Sequence, residues 1–456
     1  MTIKEVFYRM VKMQGVAHTT LNPYGPGAVR IHLIPPKFKL RGQAPSVAII
    51  NGKDIIPVNM SWAILLNSFI EEVNRYEGNE ITHDDLEGIV RRTLKSVKSI
   101  YFKTDIEQFR KDLWRIVDTL CAIAYGKEPS EDIGYITIGE YAPLMRAPHR
   151  MDLMVSSMAR DGHWNCNQKC LHCYAAGQPQ SEVKELSTDE WKQIIDRCRK
   201  IGIPQITFTG GEPTMRSDIF DLIKYSEWFV TRLNTNGVKL TEEYCKKLYN
   251  SNLDSVQITF YSATEDEHNK LVGANNYWHT LKGIKNAVKA GLNVSINTPL
   301  CKINSNYVRT LQLLNMIGIK YVSCSGLIVT GNACNNDSKS TQLSEEQLYS
   351  ILEEATKYCE EQHMEISFTS PGWVSEDKLS KLGLSIPACG ACLSNMAIAP
   401  DGSVVPCQSW LSDDSLGNIL EQPWKKIWNS PRCREIRESS ATMKYECPLR
   451  EKESKK

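Results

Sequence analysis

The stretch Asn165-Cys166-Asn167-Gln168-Lys169-Cys170-Leu171-His172-Cys173-Tyr174 places three cysteines in one loop. They follow the pattern C-x3-C-x2-C, and neighbouring cysteines are too close along the chain to form an unstrained disulfide. Cysteines clustered in this way are typical ligands of iron or zinc. Three ligands leave one iron of a [4Fe-4S] cube open, and a small molecule bound there can receive an electron directly. The loop therefore predicts an iron-sulfur site that binds a second molecule.

A glycine-rich turn, Thr209-Gly210-Gly211-Glu212-Pro213, closes the apolar run 205–208. Two adjacent glycines let the backbone approach a ligand closely, because neither has a Cβ. Further motifs come next in the chain: Asn234-Thr235-Asn236-Gly237, the strand-like run Val256–Ser262, and a segment from Glu265 through His268, Gly273 and Trp278. Together with the cysteine loop, in which the ring of His172 precedes the last cysteine, these motifs resemble the signature of the radical S-adenosylmethionine (SAM) enzymes.

The resemblance implies roles for particular residues. Cys166, Cys170 and Cys173 would hold the cluster that binds SAM, and the glycine turn would bind the amino group of its methionine part. The residues assigned in this way to the cofactor are His172, Tyr174, Gly210, Gly211, Glu212, Pro213, Thr235, Asn236, Ser295 and Asn297. For the last four, ordinary capping of turns and strands is an equally good explanation.

Zinc is the alternative metal for the cysteine loop. Structural zinc usually takes four protein ligands, so the fourth would come from His172 or from a remote residue. A zinc knuckle does not explain the glycine turn at Gly210 and Gly211, and a non-catalytic iron-sulfur scaffold or sensor does not need it either. We therefore favour the iron-sulfur enzyme.

The composition is that of a soluble globular protein. The 456 residues exceed the usual size of one domain, which predicts two or three, and 41% of them are hydrophobic. A net charge of +1 gives no reason to expect nucleic acid or a membrane as a partner. The sequence has no run of roughly 20 apolar residues, and Met1–Val6 does not begin a secretory signal. These features predict a cytoplasmic protein whose cysteines stay reduced, with isolated ones in the core: Cys121, Cys198, Cys245, Cys301, Cys324 and Cys359.

Residues 1–130 differ in pattern from the rest of the chain. The runs 28–34 and 46–50 are strand-like, and Asn51-Gly52 predicts a hairpin turn before a third run at 55–58. Three helices are predicted next, over 62–76, 84–101 and 109–125, with Ser61, Thr82 and Asp105 as their caps. This pattern resembles the winged-helix-like module that binds leader peptides in ribosomal-peptide maturation enzymes, where the peptide adds a strand to a sheet edge. A structural docking domain is the alternative.

Residues 131–150 are predicted to be a linker, because Lys127–Arg150 is rich in Glu, Pro and Gly. From Met151, strands and helices alternate, and Ser187 would cap the first helix, over 188–200. The helices predicted after it cover 219–228, 241–250, 279–290 and 308–317. The expected fold class is α/β, with a partial (β/α)6 TIM-type barrel over 151–335 and its site at the carboxyl ends of the strands. A bridging helix and strand are expected over 336–380.

A second group of cysteines lies in residues 381–456. Cys389-Gly390-Ala391-Cys392 precedes two alternating runs joined by Pro400-Asp401-Gly402, a hairpin that would bring Cys407 back beside the first pair. The region resembles the cysteine-rich extension called SPASM or, when shortened, twitch. Either Cys433 or Cys447 could supply a fourth ligand. The resemblance implies one auxiliary [4Fe-4S] cluster held by Cys389, Cys392, Cys407 and Cys447, with Cys433 in the core. Tetrahedral zinc is the alternative for these four cysteines.

The resemblance implies an enzyme that cleaves SAM reductively and abstracts a hydrogen with the resulting 5′-deoxyadenosyl radical. Relatives with this extension act mainly on peptides, so the expected substrate is a ribosomally made precursor peptide whose leader binds residues 1–130. The modification would be a cross-link, an oxidation or an epimerisation, and the electron would come from a reductant such as flavodoxin or ferredoxin. A radical SAM enzyme of small-molecule cofactor biosynthesis is the alternative.

Overall fold

The structure is a computed structural model that describes residues 4, 7–8, 13, 15–21, 29–35, 46–52, 54–76, 81–129, 136, 138–412, 415–442 and 447–451. Ala28, most of Met1–Val6 and part of the predicted linker, at 130–135 and 137, lie outside the described residues. The chain divides into two compact units. The first contains Met1–His149 with Cys198–Pro204 and Trp228–Val230, and the second contains Arg150–Arg197, Gln205–Glu227 and Thr231–Lys456.

The first unit contains an antiparallel sheet and three long helices. The strands, in their order across the sheet, are β1 (Ala17–Leu21), β2 (Val29–Ile34), β3 (Ser46–Ile50) and β4 (Asp54–Val58). The helices are α1 (Met60–Val73), α2 (His83–Lys98) and α3 (Ile106–Ala124), followed by the short α4 (Ile138–Tyr141) inside the segment predicted as a linker. Three strands and three helices were predicted, and β1 was not.

The helix caps follow the sequence with one correction. Thr82 caps α2 in a capping box with Asp85, and Asp105 caps α3, as predicted. The prediction of Ser61 as the cap of α1 was wrong. The Asn59 side chain accepts the Trp62 N–H at 2.9 Å and α1 begins at Met60, because Asn59 is also a strong capping residue and comes first along the chain.

The second unit is built on a nine-stranded sheet. Its strands are β5 (Arg150–Ser156), β8 (Gln205–Gly210), β9 (Val230–Thr235), β10 (Ser255–Thr259), β11 (Val294–Pro299), β12 (Tyr321–Ser325), β13 (Glu365–Phe368), β14 (Asn395–Ile398) and β15 (Val404–Val405). The short β6 (Ala159–Arg160) and β7 (His163–Trp164) form a separate hairpin. The order β13-β12-β11-β10-β9-β8-β5-β14-β15 is open among the described residues, since β13 and β15 do not pair. The expected partial barrel is therefore present.

Helices connect most of the parallel strands. They are α5 (Thr188–Ile201), α6 (Ile219–Tyr225), α7 (Glu242–Asn250), α8 (Glu265–Val272), α9 (Tyr277–Lys289), α10 (Tyr307–Ile317), α11 (Asn336–Lys339), α12 (Glu345–Glu361), α13 (Glu376–Lys381), α14 (Trp424–Trp428), α15 (Pro431–Thr442) and α16 (Pro448–Glu451). The helices predicted from residue 188 onward are all found, within three residues at each end. Ser187 exchanges hydrogen bonds with Glu190 at the start of α5, as its predicted capping role requires. None of the described helices is both long and apolar enough to cross a membrane.

The hairpin predicted around Pro400–Gly402 is formed by β14 and β15. Its first strand also pairs in parallel with β5, with Asn395 opposite Arg150. The sequence did not predict this pairing, which joins the carboxyl-terminal segment to the barrel sheet. Of the isolated cysteines predicted to lie in the core, Cys121 is half-buried and the other five are buried.

Alternate residues of the barrel strands face a cavity. In β10, Val256 and Ile258 are buried in the core, while Gln257 and Thr259 line the cavity. In β9, Arg232 lines it as well. This alternation follows from the two-residue period of a strand, and it gives the barrel a polar interior.

Candidate active site

The cysteine loop lies at one end of this cavity, which has a volume of about 640 Å³. Cys166, Cys170 and Cys173 line it together with Gly210 and Gly211. The Cys166 Sγ lies 3.9 Å from the carbonyl oxygen of Gly211. The two motifs found in the sequence therefore meet at one site, at the carboxyl ends of the parallel strands.

The end of helix α8 holds one side of the loop. The Lys169 N–H donates to the Val272 carbonyl at 3.0 Å, and the Leu171 N–H donates to the Leu271 carbonyl at 2.9 Å. Gly273 ends the helix with a φ of 62°, and a Cβ at this position would lie 2.3 Å from the Lys169 carbonyl oxygen. Only glycine therefore lets the helix end so close to the loop.

Gly331 and Asn332 hold the other side of the loop. The Asn332 N–H donates to the Cys173 carbonyl at 2.9 Å, and its Nδ2 donates to the Cys170 carbonyl at 3.1 Å. A Cβ on Gly331 would lie 2.4 Å from the Cys173 carbonyl oxygen. Sequence analysis missed both residues, because a Gly-Asn pair is the common signal of any turn.

Gly210 and Gly211 were predicted to let the backbone approach a ligand, but the structure shows a different need for them. A Cβ on Gly210, where φ is 134°, would lie 2.3 Å from the Ser156 carbonyl oxygen, and one on Gly211 would lie 2.9 Å from the Ser157 carbonyl oxygen. The close approach is thus to the end of the neighbouring strand β5. The Gly211 N–H donates to Ser156 at 2.7 Å, which fixes the turn against that strand.

The Glu212 carboxylate connects the ends of two strands. Its Oε1 accepts the Thr214 N–H at 3.0 Å, the Thr214 hydroxyl at 2.6 Å and the Thr235 hydroxyl at 2.7 Å. Its Oε2 accepts the Asn236 N–H at 2.8 Å. Burial raises the pKa of Glu212, and the hydrogen bonds act in the opposite direction. We propose that Oε2, which has a single donor, is the atom left to receive the ammonium group of SAM.

Most of the other residues assigned to the cofactor line the same cavity. Asn236 also donates through Nδ2 to the Asn167 side chain at 2.6 Å, so it connects strand β9 to the cysteine loop. The cavity-lining residues among those assigned are His172, Tyr174, Gly210, Gly211, Glu212, Thr235, Asn236, Ser295 and Asn297. Pro213 lies outside the lining and begins a short 3-10 helix. The cofactor roles of all these residues remain predictions.

His172 and Tyr174 flank the last cysteine of the loop. The His172 Nε2 lies 2.8 Å from the Thr341 hydroxyl oxygen, which fixes the ring at the cavity wall. Burial lowers the pKa of His172 to about 4. Tyr174 packs against the same apolar cluster as Cys166 and Cys173, and burial raises the pKa of its phenol. Both side chains are therefore uncharged at neutral pH.

The second group of cysteines comes together from separate segments. Cys389, Cys407 and Cys447 pack against one apolar cluster, whose buried members are Ala391, Trp410 and Leu449. Cys392 and Cys433 are fully buried. Contact between their thiols raises the pKa of Cys392 and lowers that of Cys433. Cys433 was predicted to lie in the core, and the structure places it there, against a predicted ligand.

These cysteines suit iron-sulfur clusters in number and position. Burial raises the pKa of Cys166 to about 12, so bound iron must displace the thiol proton. Among the described residues, no three His, Cys, Asp or Glu side chains converge closely enough to hold a single ion. A cube makes no such demand, because each cysteine binds a different iron. We propose Cys166, Cys170 and Cys173 as ligands of one cube, and Cys389, Cys392, Cys407 and Cys447 as ligands of another.

Comparison with known families agrees with this site. The sequence model of the radical SAM superfamily matches residues 165–314, and that of the SPASM iron-sulfur cluster-binding domain matches residues 389–449. The chain therefore contains a radical SAM domain and an SPASM domain. Its cofactors are SAM, the [4Fe-4S] cluster that binds SAM, and an auxiliary cluster.

Relatives of this radical SAM enzyme differ in their named activities. The AdoMet-dependent heme synthase of Methanosarcina barkeri is 29% identical over 292 residues, which cover 60% of this chain and 82% of that protein. The mycofactocin maturase MftC of Mycolicibacterium smegmatis is 27% identical over 281 residues, which cover 60% of this chain and 70% of that protein.

A solved structure shares the fold over most of the chain. Streptococcus suis SuiB bound to its precursor peptide SuiA has a TM-score of 0.60 and 13% identity, and the match covers 89% of this chain and 93% of that one.

Proposed function

We propose that this radical SAM enzyme modifies a ribosomally made precursor peptide. The observation that carries the proposal is the sheet of the first unit, which ends in an edge strand suited to pairing with an added peptide strand. The solved SuiB structure that matches 89% of the chain contains a bound precursor peptide. The match to the heme synthase covers only 60% of the chain.

Strand β4 is the edge at which we place the leader peptide. Among the described strands, β3 is the only one that pairs with it. Pro57 lies within this pairing, opposite Val47. Proline is tolerated at an edge strand where its nitrogen faces away from the neighbouring strand. By the two-residue alternation, the backbone of Ile55 faces the same open side and offers an N–H and a carbonyl to an incoming strand.

The chain's own residues would prepare the chemistry at the end of the cavity. The cysteine loop and the glycine turn hold their positions through backbone bonds, and Glu212 and Asn236 orient the cofactor. When bound, the cluster supplies an electron that cleaves SAM to methionine and a 5′-deoxyadenosyl radical, which abstracts a hydrogen from the substrate. The partial barrel keeps this end of the cavity away from bulk solvent. A reductant such as flavodoxin or ferredoxin would supply the electron.

Tetrapyrrole chemistry is the second candidate. It is favoured by the heme synthase, of which the match covers 82%. In that case the first unit would have a structural role, and a porphyrin would occupy the barrel cavity.

The test is Ile55→Pro in the anaerobically reconstituted full chain, with Ile55→Val as the matched control. The proline removes the outward N–H without removing a bond to β3. We expect binding of a candidate precursor peptide, encoded by a short open reading frame beside the gene, to weaken about tenfold or more. SAM cleavage without peptide should be unchanged.

Equal peptide affinity in the proline variant and the control would contradict leader binding at β4. Peptide-independent turnover of a coproporphyrin would instead support the second candidate. If the reconstituted protein binds iron but forms no deoxyadenosine from SAM and a reductant, it is a non-catalytic scaffold and both candidate activities are excluded.

A further inference from the structure

The barrel cavity extends far beyond the cysteine loop. Its lining includes Arg232 of strand β9, which lies four residues before Asn236, the residue that follows this strand. At the rise of a parallel strand, these residues are roughly 13 Å apart along the barrel. Arg150, the first residue of β5, also lines the cavity. The far end of the cavity therefore contains two guanidinium groups.

Only one of these two cations has a carboxylate partner. The Arg150 Nε lies 2.9 Å from Asp152 Oδ1, and the Asp152 side chain is 1% exposed. Arg232 donates through Nε to the Ser255 hydroxyl at 3.4 Å, and no described carboxylate lies within ion-pair distance of it. Arg150, Asp152 and Arg232 together thus leave one positive charge without a counter-ion inside the barrel. Burial and the field of Arg150 lower the pKa of Arg232, and the more distant Asp152 carboxylate, which is paired with Arg150, acts in the opposite direction without reversing the shift.

Two polar groups on adjacent strands face the same space without partners. The Thr207 side chain is 2% exposed, and its hydroxyl makes no hydrogen bond within the described residues. The Asn234 Oδ1 is likewise buried and unsatisfied, and Asn234 and Thr207 both line the cavity. A buried polar group without a partner is costly, so such groups mark places where a ligand binds. The Thr207 hydroxyl can donate a hydrogen bond to a ligand, whereas the Asn234 Oδ1 can only accept one.

The acidic residues of the cavity do not neutralise Arg232. Glu212 is occupied by four protein donors at the other end. Glu365 lines the cavity from the edge strand β13, where it is exposed to solvent. The interior is therefore left with a cation, a hydroxyl that can donate and an amide oxygen that can accept.

We propose that Arg232 and Thr207 bind a carboxylate of the substrate inside the barrel, and that the neighbouring Asn234 Oδ1 accepts a hydrogen bond from a donor group of the same substrate. This inference rests on the proposed function in that the substrate's reacting carbon lies near the cysteine loop. The carboxylate then belongs to a part of the substrate roughly 10 Å from that carbon. A peptide's terminal carboxylate, a few residues beyond the modified one, has this reach, and so does a propionate of a porphyrin.

The test measures binding by thermal unfolding of the anaerobic holoenzyme, without turnover. The probes are N-acetyl-trialanine with a free carboxyl terminus, its carboxyl-terminal amide, and coproporphyrin III. The variant is Arg232→Gln, and the matched control is Arg160→Gln, at an exposed arginine of the same unit. We expect the acid peptide to raise the melting temperature of wild type and the control more than the amide does. In Arg232→Gln, its apparent affinity should fall about tenfold or more.

The outcomes separate the site from the proposed function. If the acid and amide peptides act alike on wild type and coproporphyrin does not respond to Arg232→Gln, the carboxylate site is overturned and peptide modification stands on its own test. If only coproporphyrin depends on Arg232, the carboxylate site is supported with a porphyrin as its ligand, and the peptide's terminal carboxylate is overturned as its occupant. A difference between acid and amide that survives in Arg232→Gln also overturns the site.

Discussion

The two cysteine groups of this enzyme differ in how the chain brings the sulfurs together. Cys166, Cys170 and Cys173 lie in one loop, so their spacing is set by local sequence. The auxiliary group draws on residues from Cys389 to Cys447, separated by a hairpin and two helices. The first group can be recognised from a short motif, whereas the second requires the fold.

The two groups also differ in what holds them. The backbone of the first loop bonds to the end of α8 on one side and to Asn332 on the other. In the second group, a backbone bond from the Cys392 N–H to the Pro406 carbonyl links the segments of Cys392 and Cys407, while Cys447 packs against the apolar cluster that Cys389 and Cys407 also contact. We therefore expect the first site to keep its shape without iron and the second to depend on its cluster for stability.

The largest effect that tests this comparison is loss of the loop cysteines. In Cys166→Ala/Cys170→Ala/Cys173→Ala, deoxyadenosine formation should disappear, because no open iron remains for SAM. Iron should fall from about eight to about four per chain, the content of one cube. Analysis of iron, sulfide and deoxyadenosine in anaerobically reconstituted protein checks this expectation.

Cys389→Ala is the matched variant in the other group. It should also lose about four irons, while SAM cleavage persists and modification of the substrate stops. Zinc in either site, or cleavage that survives the triple change, would show that the ligands are wrongly assigned.

The next prediction tests whether Cys447 or Cys433 is the fourth ligand of the auxiliary cluster. Cys447→Ala should lose about four irons, because Cys447 packs with Cys389 and Cys407. Cys433→Ala should keep its iron and lose about 1–2 kcal/mol of stability, as expected for truncation of a buried side chain. The reverse result would make Cys433, whose thiol lies against Cys392, the fourth ligand.

The sequence predicted the barrel well because each element had a local signal. Strands followed by amphipathic helices indicate a parallel sheet, and turn residues such as Gly210 mark the strand ends. The pairing of β14 with β5 and the added strand β1 had no such signal. The pairing of β14 with β5 joins segments that are far apart in the chain, whereas β1 pairs with β2, the next strand along the chain.

The candidate site shows the same division. The cysteines and the glycine turn could be found by spacing, but Gly331 and Asn332 could not, because their role depends on where the loop lies in the fold. Arg232 and Thr207 stand in strand-like runs, where alternating polar residues usually face solvent. Only the partial barrel, whose strands surround a cavity, places them inside.

A moderate effect is expected from filling the space beside the loop. Gly331→Ala puts a Cβ 2.4 Å from the Cys173 carbonyl at a φ of 58°, so strain and collision add. We expect a loss of about 3 kcal/mol in denaturant unfolding and poorer iron retention. Gly383→Ala is the control, because Gly383 has a φ of 68° with open space around it, and its cost should be only about 1–2 kcal/mol. Equal costs would mean that contact with the loop is unimportant.

The smallest expected effect shows how much the side chain of Asn332, as distinct from its backbone, stabilises the cysteine loop. Asn332→Ala removes the Nδ2 bond to the Cys170 carbonyl but keeps the N–H bond to Cys173. The expected loss is about 1 kcal/mol, because one buried hydrogen bond disappears and an acceptor near the cluster is left unpaired. Asn315→Ala, which removes exposed bonds to Gln362 and Lys320, should cost nearly nothing in the same unfolding measurement. If the two variants are equally stable, the loop is held by its backbone alone, and the contrast with the auxiliary cysteines becomes sharper.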